Sequence, residues 1–303
     1  MKRVFVLGGT GFIGRHLLRA LKERGYEVYA LVRSRSRIAL LPPGVRPVPG
    51  DPLRPGDWQR EAASCEAGIN LAGANIFRRW NEEYKRLLRE SRILSTRFLG
   101  EALPEGATLI NASAVGYYGD CGEEEVAEDH PPGQDFLARL CTDWEREALA
   151  LENKGCRVAI SRFGIVLGND GGALLKMLPA FRLGLGGPIG NGQQWFPWIH
   201  IADVVSGLIF LLDNPEARGP FNFVAPEAVR QRDFARMLGK VLHRPALIPA
   251  PVRLLRLVFG EVASVLTAGC RARPRRLLDL GYTFLFPGLK EALENLLQKG
   301  GKA

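Results

Sequence analysis

The run Gly8-Gly9-Thr10-Gly11-Phe12-Ile13-Gly14 has the residue types and spacing that bear most directly on chemistry. It lies between a short apolar strand at residues 4–7 and a helical stretch at residues 12–24, where Ile13, Leu17, Leu18 and Leu21 form one stripe. In that setting Gly8 permits a tight turn and Gly11 lets the backbone approach a pyrophosphate. Gly14 lets the helix pack closely on the strand. The helix N-terminus then presents unpaired N–H groups and the positive end of its dipole to phosphate. Thr10, Phe12 and Ile13 complete a loop expected to cradle a dinucleotide. The spacing is G-x-x-G-x-x-G rather than G-x-G-x-x-G. A second strand at residues 28–32 runs into Arg33-Ser34-Arg35-Ser36-Arg37, with no acid. Binders of NAD place a carboxylate there for the ribose 2′-hydroxyl. A guanidinium instead attracts and chelates a 2′-phosphate, so Arg33 points to NADP(H) over NAD. A solvated basic loop is the plainer alternative.

The elements that must position this loop follow from the pattern along the chain. Gly25 ends the first helix. Residues 67–71 and 109–112 read as further strands, with a long helix at 82–103 between them. Residues 144–152 read as a helix, followed by Gly155 and a strand at 157–162. Regular strand–helix alternation with short apolar strands predicts a Rossmann-type doubly wound parallel sheet, helices on both faces. After residue 168 the pattern changes. Residues 171–192 are glycine-rich, with one helical piece at 174–181. Residues 201–213 read as a helix and 221–224 as a strand. Helices follow at 231–242, 252–265 and 289–297. The expected organisation is a dinucleotide-binding domain at 1–168, with 195–225 returning to it. A smaller helix-rich substrate lobe would comprise 169–194 and 226–303.

Bulk composition narrows the function classes. The 303 residues are 46% hydrophobic and 24% charged, ordinary values for a globular chain. The net charge of +9 is spread widely, and its densest runs, at 33–37, 86–92 and 271–276, are not interleaved with aromatics as in a single-strand platform. The cations are better matched to phosphates on a small ligand, and neither a nucleic-acid nor a membrane partner is expected. Cys65, Cys121, Cys141, Cys156 and Cys270 include no C-x-x-C pair, and His16, His130, His200 and His243 are scattered. A disulfide framework and a metal site are therefore not expected, and a reducing cytosol is. The opening apolar run is broken at once by Gly8-Gly9, unlike a signal peptide. No segment reaches the roughly 18 apolar residues of a membrane span. A cytoplasmic chain, monomeric or homodimeric, is expected.

Several long segments carry a resemblance. Besides Gly8 to Gly14 they are Asn70-Leu71-Ala72-Gly73, Ser113-Ala-Val-Gly-Tyr117-Tyr118-Gly119, and the run from Arg162 to Gly168. Further on come the run from Gly187 through Trp195 to His200 and the run from Pro274 to Phe284. Across essentially its whole length the chain resembles the extended short-chain dehydrogenase/reductases. Within them it is most similar to a sugar-epimerase-like family that ends in a short domain of unknown function, sometimes labelled cell-division-inhibitor-like. The resemblance implies that Leu71, Ala72 and Gly73 lie against the adenosine half of the cofactor. It puts Asp51 in the place of an acid that contacts adenine, although Pro52 beside it lacks an N–H. It makes Arg92 a cofactor-proximal arginine and sets Val166 against the nicotinamide half.

The same resemblance exposes a gap. The superfamily pairs a Ser or Thr with Tyr-x-x-x-Lys on one helix, where the lysine lowers the tyrosine pKa and the tyrosine moves a proton. Aligning Glu145 with the usual downstream glutamate puts Leu137 and Cys141 at those two positions, and residues 110–160 contain no Tyr-x-x-x-Lys. Ser113, Tyr117 and Tyr118 are what the sequence leaves at the end of the strand at 109–112, which borders the ligand crevice. Either phenol could act as acid or base, though a pKa of about 10 suits neutral pH poorly without a lysine. Either could equally be a packed or substrate-stacking ring. Cys141 reads as a buried, inert thiol more readily than as a reactive one. His200 and Asp203 read as a structural tie between lobes. Residues 181–198, with Trp195, Phe196 and Trp198, suit a pocket wall and a packed loop equally. Two functions stay open: an NADP-dependent oxidoreductase or epimerase of unknown substrate with an atypical site, and a non-catalytic NADP(H)-binding regulator.

Overall fold

The computed structural model describes residues 2–298. The chain forms β1 (Arg3–Leu7), α1 (Phe12–Glu23), β2 (Glu27–Val32), β3 (Arg46–Pro49), α2 (Trp58–Ala63), β4 (Ala67–Asn70), α3 (Glu82–Ala102) and β5 (Thr108–Ala114). It continues through β6 (Glu125–Val126), α4 (Phe136–Leu149), β7 (Arg157–Phe163), β8 (Ile165–Leu167), α5 (Gly172–Arg182), β9 (Trp198–His200), α6 (Ile201–Asp213) and β10 (Gly219–Phe223). Then come α7 (Gln231–Leu242), α8 (Val252–Phe259), α9 (Ala263–Thr267), β11 (Arg271–Ala272), α10 (Arg275–Asp279) and α11 (Leu289–Gln298).

Seven strands form one wholly parallel sheet in the order β10-β7-β5-β4-β1-β2-β3. This is the doubly wound Rossmann arrangement the strand–helix alternation predicts. Side chains alternate across each strand. Val4 and Val6 of β1 join a core with Leu17, Leu18 and Leu21 of α1 and Leu208 of α6. Phe5 and Leu7 point the other way, into a core with Trp58 of α2, Leu99 of α3 and Leu103 just after it. Both faces are therefore covered, and β1 is apolar from Val4 to Leu7 because neither face meets water there. The first core continues without a break into Phe234 and Leu238 of α7 and Leu293 and Leu296 of α11. Outside the main sheet, β8 pairs with β9 and β6 with β11, both parallel.

Several expectations need correction. Strands β3, β6, β8, β9 and β11 and helices α2 and α10 were not anticipated. Strand β3 reads Arg46-Pro47-Val48-Pro49 and buries only Val48, so it carries almost no apolar signal. The helix expected at 144–152 starts at Phe136, because the Asp135 carboxylate caps it by accepting the Ala138 N–H at 2.8 Å. Residues 150–154 tighten into a 3-10 turn. The single helix expected at 252–265 is broken at Gly260, whose φ of 64° is left-handed and ends α8.

Candidate functional site

The chain runs outward from β1 to β3 and then returns to β4 on the other side of β1. The carboxyl ends of β1 and β4 thus flank the point where strand order reverses, where doubly wound folds place their ligand crevice. Gly8 follows β1 and Leu71 follows β4. The Leu71 N–H donates to the Leu7 carbonyl at 3.0 Å, which ties the two strand ends together.

The glycine loop is shaped by two close approaches. Gly8 has φ of 76°, and a Cβ there would lie 2.6 Å from the Leu71 carbonyl oxygen. A Cβ on Gly14 would collide with the Gly8 carbonyl, so the helix could not enter the loop at this angle. The N-cap of α1 is Gly11, which supplies no capping side chain, and the first turn holds no acid. The amides of that turn have no acceptor within the helix and carry the positive end of its dipole. Phe12 turns away from the strands. Its ring fills a slot where a Cβ on Gly168, Gly171 or Gly172 would strike it. His16 reinforces this seam, with Nε2 2.9 Å from Asp170 Oδ1.

On the adenosine side, Arg33 is exposed at the end of β2. Its neighbour Arg37, in a 3-10 turn, reaches back to donate from Nη1 to Thr10 Oγ1 at 3.3 Å. The guanidinium in contact with the glycine loop is therefore that of Arg37, one helical turn beyond the residue the strand-end reading favours. Asp51 is exposed, and its carboxylate accepts the Leu53 N–H at 3.0 Å. The Ala72 N–H donates to Asn70 Oδ1 at 3.0 Å. Asn70 is wholly buried, and its amide nitrogen also donates to Thr96 Oγ1 at 2.9 Å and Asn111 Oδ1 at 3.0 Å. Trp144 Nε1 donates to the same Thr96 hydroxyl at 2.9 Å. One polar knot thus fixes the ends of β4 and β5 against α3 and α4.

Arg92 projects from α3 toward Gly73, where a Cβ would lie 3.2 Å from its guanidinium carbon. It donates to the carbonyls of Leu88 at 3.0 Å and Ala74 at 3.3 Å and lies over the Trp144 ring at 5.1 Å. Burial lowers its pKa, but from so high a value that it stays a cation held by dipoles and an aromatic face.

The end of β5 is organised around a buried ion pair. Arg162 of β7 meets Glu145 of α4 through two parallel contacts of 2.8 Å. Ser113 Oγ donates to the same carboxylate at 2.6 Å. Arg162 Nη1 donates to the Tyr118 hydroxyl at 2.9 Å, and that hydroxyl donates to Asn222 Oδ1 at 2.7 Å. The network brings Ser113 and Tyr118 together, but their hydroxyls are saturated, and burial pushes the Tyr118 pKa well above its ordinary value. Tyr117 is half-buried, with the Arg162 guanidinium 3.5 Å from its ring centroid. Burial raises its pKa and the arginine charge opposes the rise. Leu137 of α4 packs on Gly116 just before it. Cys141 is buried, which pushes its thiol up to about 11 and keeps it protonated.

The C-terminal half supports these parts. Val166 lies in β8, its carbonyl directly below Gly172. His200 caps α6 by accepting the Ala202 N–H at 3.0 Å and stacks on Phe286 at 4.0 Å. Asp203 accepts the backbone N–H groups of Leu285 at 2.6 Å and Phe286 at 3.0 Å, so this pair ties α6 to the chain terminus. The aromatics of residues 181–198 turn inward. Phe196 stacks on Phe234 at 4.2 Å, Trp198 donates to the Glu227 carbonyl at 3.1 Å, and Trp195 lies beneath Arg230. The stretch from Trp195 to Trp198 is a packed bridge, whereas Leu183 and Leu185 stand exposed. Nothing in the one-dimensional pattern announced Glu145–Arg162, whose partners are 17 residues apart on different elements.

Residues 4–224 match the model of the NAD dependent epimerase/dehydratase family, and residues 250–296 match a domain of unknown function, DUF1731. The mouse epimerase family protein SDR39U1 is 41% identical, over 97% of this chain and 99% of the mouse protein. The Arabidopsis thaliana SDR39U1 homolog, described as chloroplastic, is 39% identical over 97% of this chain and 86% of its own length. The crystal structure of human SDR39U1 isoform 2 with NADPH superposes with a TM-score of 0.86 at 38% identity, covering 98% of this chain and 99% of the human one.

Proposed function

Because the chain belongs to the NAD dependent epimerase/dehydratase family, we propose that it binds NADP(H) across the β1/β4 crevice and acts on a carbonyl or hydroxyl group of a small molecule. The observation that carries the choice of NADP(H) is the basic, acid-free end of β2, from which Arg37 bonds to Thr10 of the glycine loop. The human relative crystallised with NADPH is consistent with it. The glycine cradle also fits a pyrophosphate, since at Gly8 and Gly14 a side chain would occupy backbone space and the first turn of α1 is unsatisfied.

When bound, the nicotinamide accepts or supplies the two electrons of the reaction. The protein's part is binding, orientation and proton management. The first-turn amides of α1, from Phe12 to Gly14, hold the pyrophosphate. Arg37, with Arg33, neutralises the 2′-phosphate. Leu71, Ala72 and Gly73 lie along the adenosine, Asp51 stands at the adenine, Arg92 adds a fixed cation, and Val166 backs the nicotinamide side. At the end of β5, Tyr117 is the phenol free to face a substrate oxygen, and Arg162 beneath its ring favours the charge left when the proton departs. Ser113 and Tyr118 serve as positioning residues that hold Arg162 with Glu145. Residues 1–168 and 195–225 form the cofactor lobe, and the remaining residues form the substrate lobe.

A second reading keeps one specific observation in its favour: the hydroxyls of Ser113 and Tyr118 are saturated by structural partners. In that reading bound NADP(H) stabilises one conformation for a partner and no turnover follows. Fluorescence titration tests the cofactor assignment. NADPH is expected to bind more tightly than NADH, and Arg37→Ala should weaken NADPH by about tenfold, the worth of one charge-assisted contact, while leaving NADH unchanged. Equal affinity for the two cofactors would overturn the assignment. Screening carbonyl compounds and nucleotide sugars for NADPH turnover, with Tyr117→Phe as control, separates the two readings. Turnover lost in that variant supports catalysis by Tyr117, and absence of any turnover supports the regulator.

A further inference from the structure

One face of the C-terminal half is both apolar and basic, with its acids confined to the borders, where Asp233 pairs with Arg236 at 3.5 Å. From residue 234 to residue 260 the sequence holds Arg236, Lys240, Arg244, Arg253 and Arg256 but no aspartate or glutamate. Residues 171–202 likewise contain no acid. The fold brings these two stretches side by side. The Ile248 N–H donates to the Gly186 carbonyl at 3.2 Å, the Ala250 N–H to the Pro188 carbonyl at 2.8 Å, and Arg244 Nε to the Arg182 carbonyl at 3.0 Å.

Six large aliphatic side chains stand out from this face: Leu183, Leu185, Leu247, Ile248, Leu254 and Leu257, with Leu247 80% exposed and Leu183 and Leu257 each 74% exposed. Isolated exposed leucines are common, but six on adjoining segments are a patch, which marks an interaction surface. Helix α8 alternates the two chemistries within one turn, as Arg253-Leu254-Leu255-Arg256-Leu257. Arg182, Arg244, Arg253 and Arg256 are all exposed.

We propose that this face, α8 with the 183–185 and 244–248 segments, docks on an anionic phospholipid surface. Charge complementarity chooses the occupant. A second copy would bring two like-charged faces together, with carboxylates only at their borders, at Asp233 and Glu261. The leucines project from the surface rather than line a cleft, and insertion among acyl chains requires no complementary pocket. Cationic residues flanking short leucine-rich helices are the pattern of interfacial attachment without spanning. No helix among the described residues is long and apolar enough to cross a membrane, so attachment would be peripheral and reversible. This proposal departs from the expectation of no membrane partner and is independent of the cofactor assignment.

Flotation of the full chain with vesicles of phosphatidylcholine alone, or of phosphatidylcholine mixed with phosphatidylglycerol, tests the proposal. Binding is expected only with phosphatidylglycerol and should weaken as salt rises. Arg253→Gln with Arg256→Gln should lower the partition coefficient by about 25-fold, at roughly fivefold for each arginine. Leu254→Asp with Leu257→Asp should abolish it. Circular dichroism and the melting temperature verify that these surface variants fold. Flotation absent on both vesicles, or equal on both, overturns the proposal. So does concentration-dependent dimerisation in sedimentation that the Leu254→Asp/Leu257→Asp variant removes, because it would identify the occupant as a second copy.

Discussion

The two ends of the crevice are built by different means. At the end of β1, geometry is set by the backbone: Gly8 and Gly14 leave no room for a Cβ, and the first turn of α1 has neither a capping side chain nor an acid. At the end of β5, geometry is set by side chains drawn from four elements. Ser113, Glu145, Arg162 and Tyr118 close on each other with Asn222. A backbone site tolerates no substitution at its few glycines and is indifferent to most neighbours. A side-chain site depends on every partner and can be re-plumbed by changing one.

The largest effect that would break the comparison is expected at the ion pair. Arg162→Met leaves Glu145 buried without its partner and should cost about 3–5 kcal/mol in urea unfolding. Adding Glu145→Leu should recover part of the loss. If the single variant proves as stable as the parent, the end of β5 is not held by its side chains. Next in size is Gly14→Ala, where one methyl group forces α1 away from Gly8. A loss of about 3 kcal/mol is expected, together with loss of NADPH binding, read by unfolding and fluorescence titration. Retained binding would mean that the loop is looser than its contacts imply.

The smallest effect concerns Glu128, whose Oε1 accepts the Asn222 N–H at 3.0 Å. Burial raises its pKa above the ordinary carboxylate value. A raised folded-state pKa means that the folded chain holds this proton more tightly than the unfolded one. Its contribution to stability is therefore fully present below about pH 4.5 and is lost as pH rises through the folded value. Glu128→Gln should flatten that part of the pH profile of the urea midpoint. An unchanged profile would show that the carboxylate is ionised at no cost.

The same contrast governs what the sequence could disclose. The glycine loop was legible because its requirements are local, a strand, three spaced glycines and a helix within about 20 residues. Helix α7 was legible because its apolar stripe alone fixes Gln231–Leu242. Strand β3 was not, since pairing with β2 rather than composition makes it a strand. Arg33 is the nearest arginine to β2 along the chain, but the 3-10 turn at Arg35–Leu40 swings Arg37 onto Thr10 instead. Tyr117 and Tyr118 are neighbours in sequence and look interchangeable there. Their long-range partners tell them apart: the Tyr118 hydroxyl bonds to Arg162 and Asn222, whereas Tyr117 lies with its ring on the Arg162 guanidinium.

The outermost strand has a consequence for assembly. The row Arg46-Pro47-Val48-Pro49 ends the sheet, and two of its four residues have no N–H to offer. A neighbouring chain seeking to lengthen the sheet by pairing there would meet interrupted donors and the Arg46 side chain. The prolines that hide β3 from a composition-based reading thus act as a terminator, letting a seven-stranded sheet end in water without becoming a template for its own aggregation.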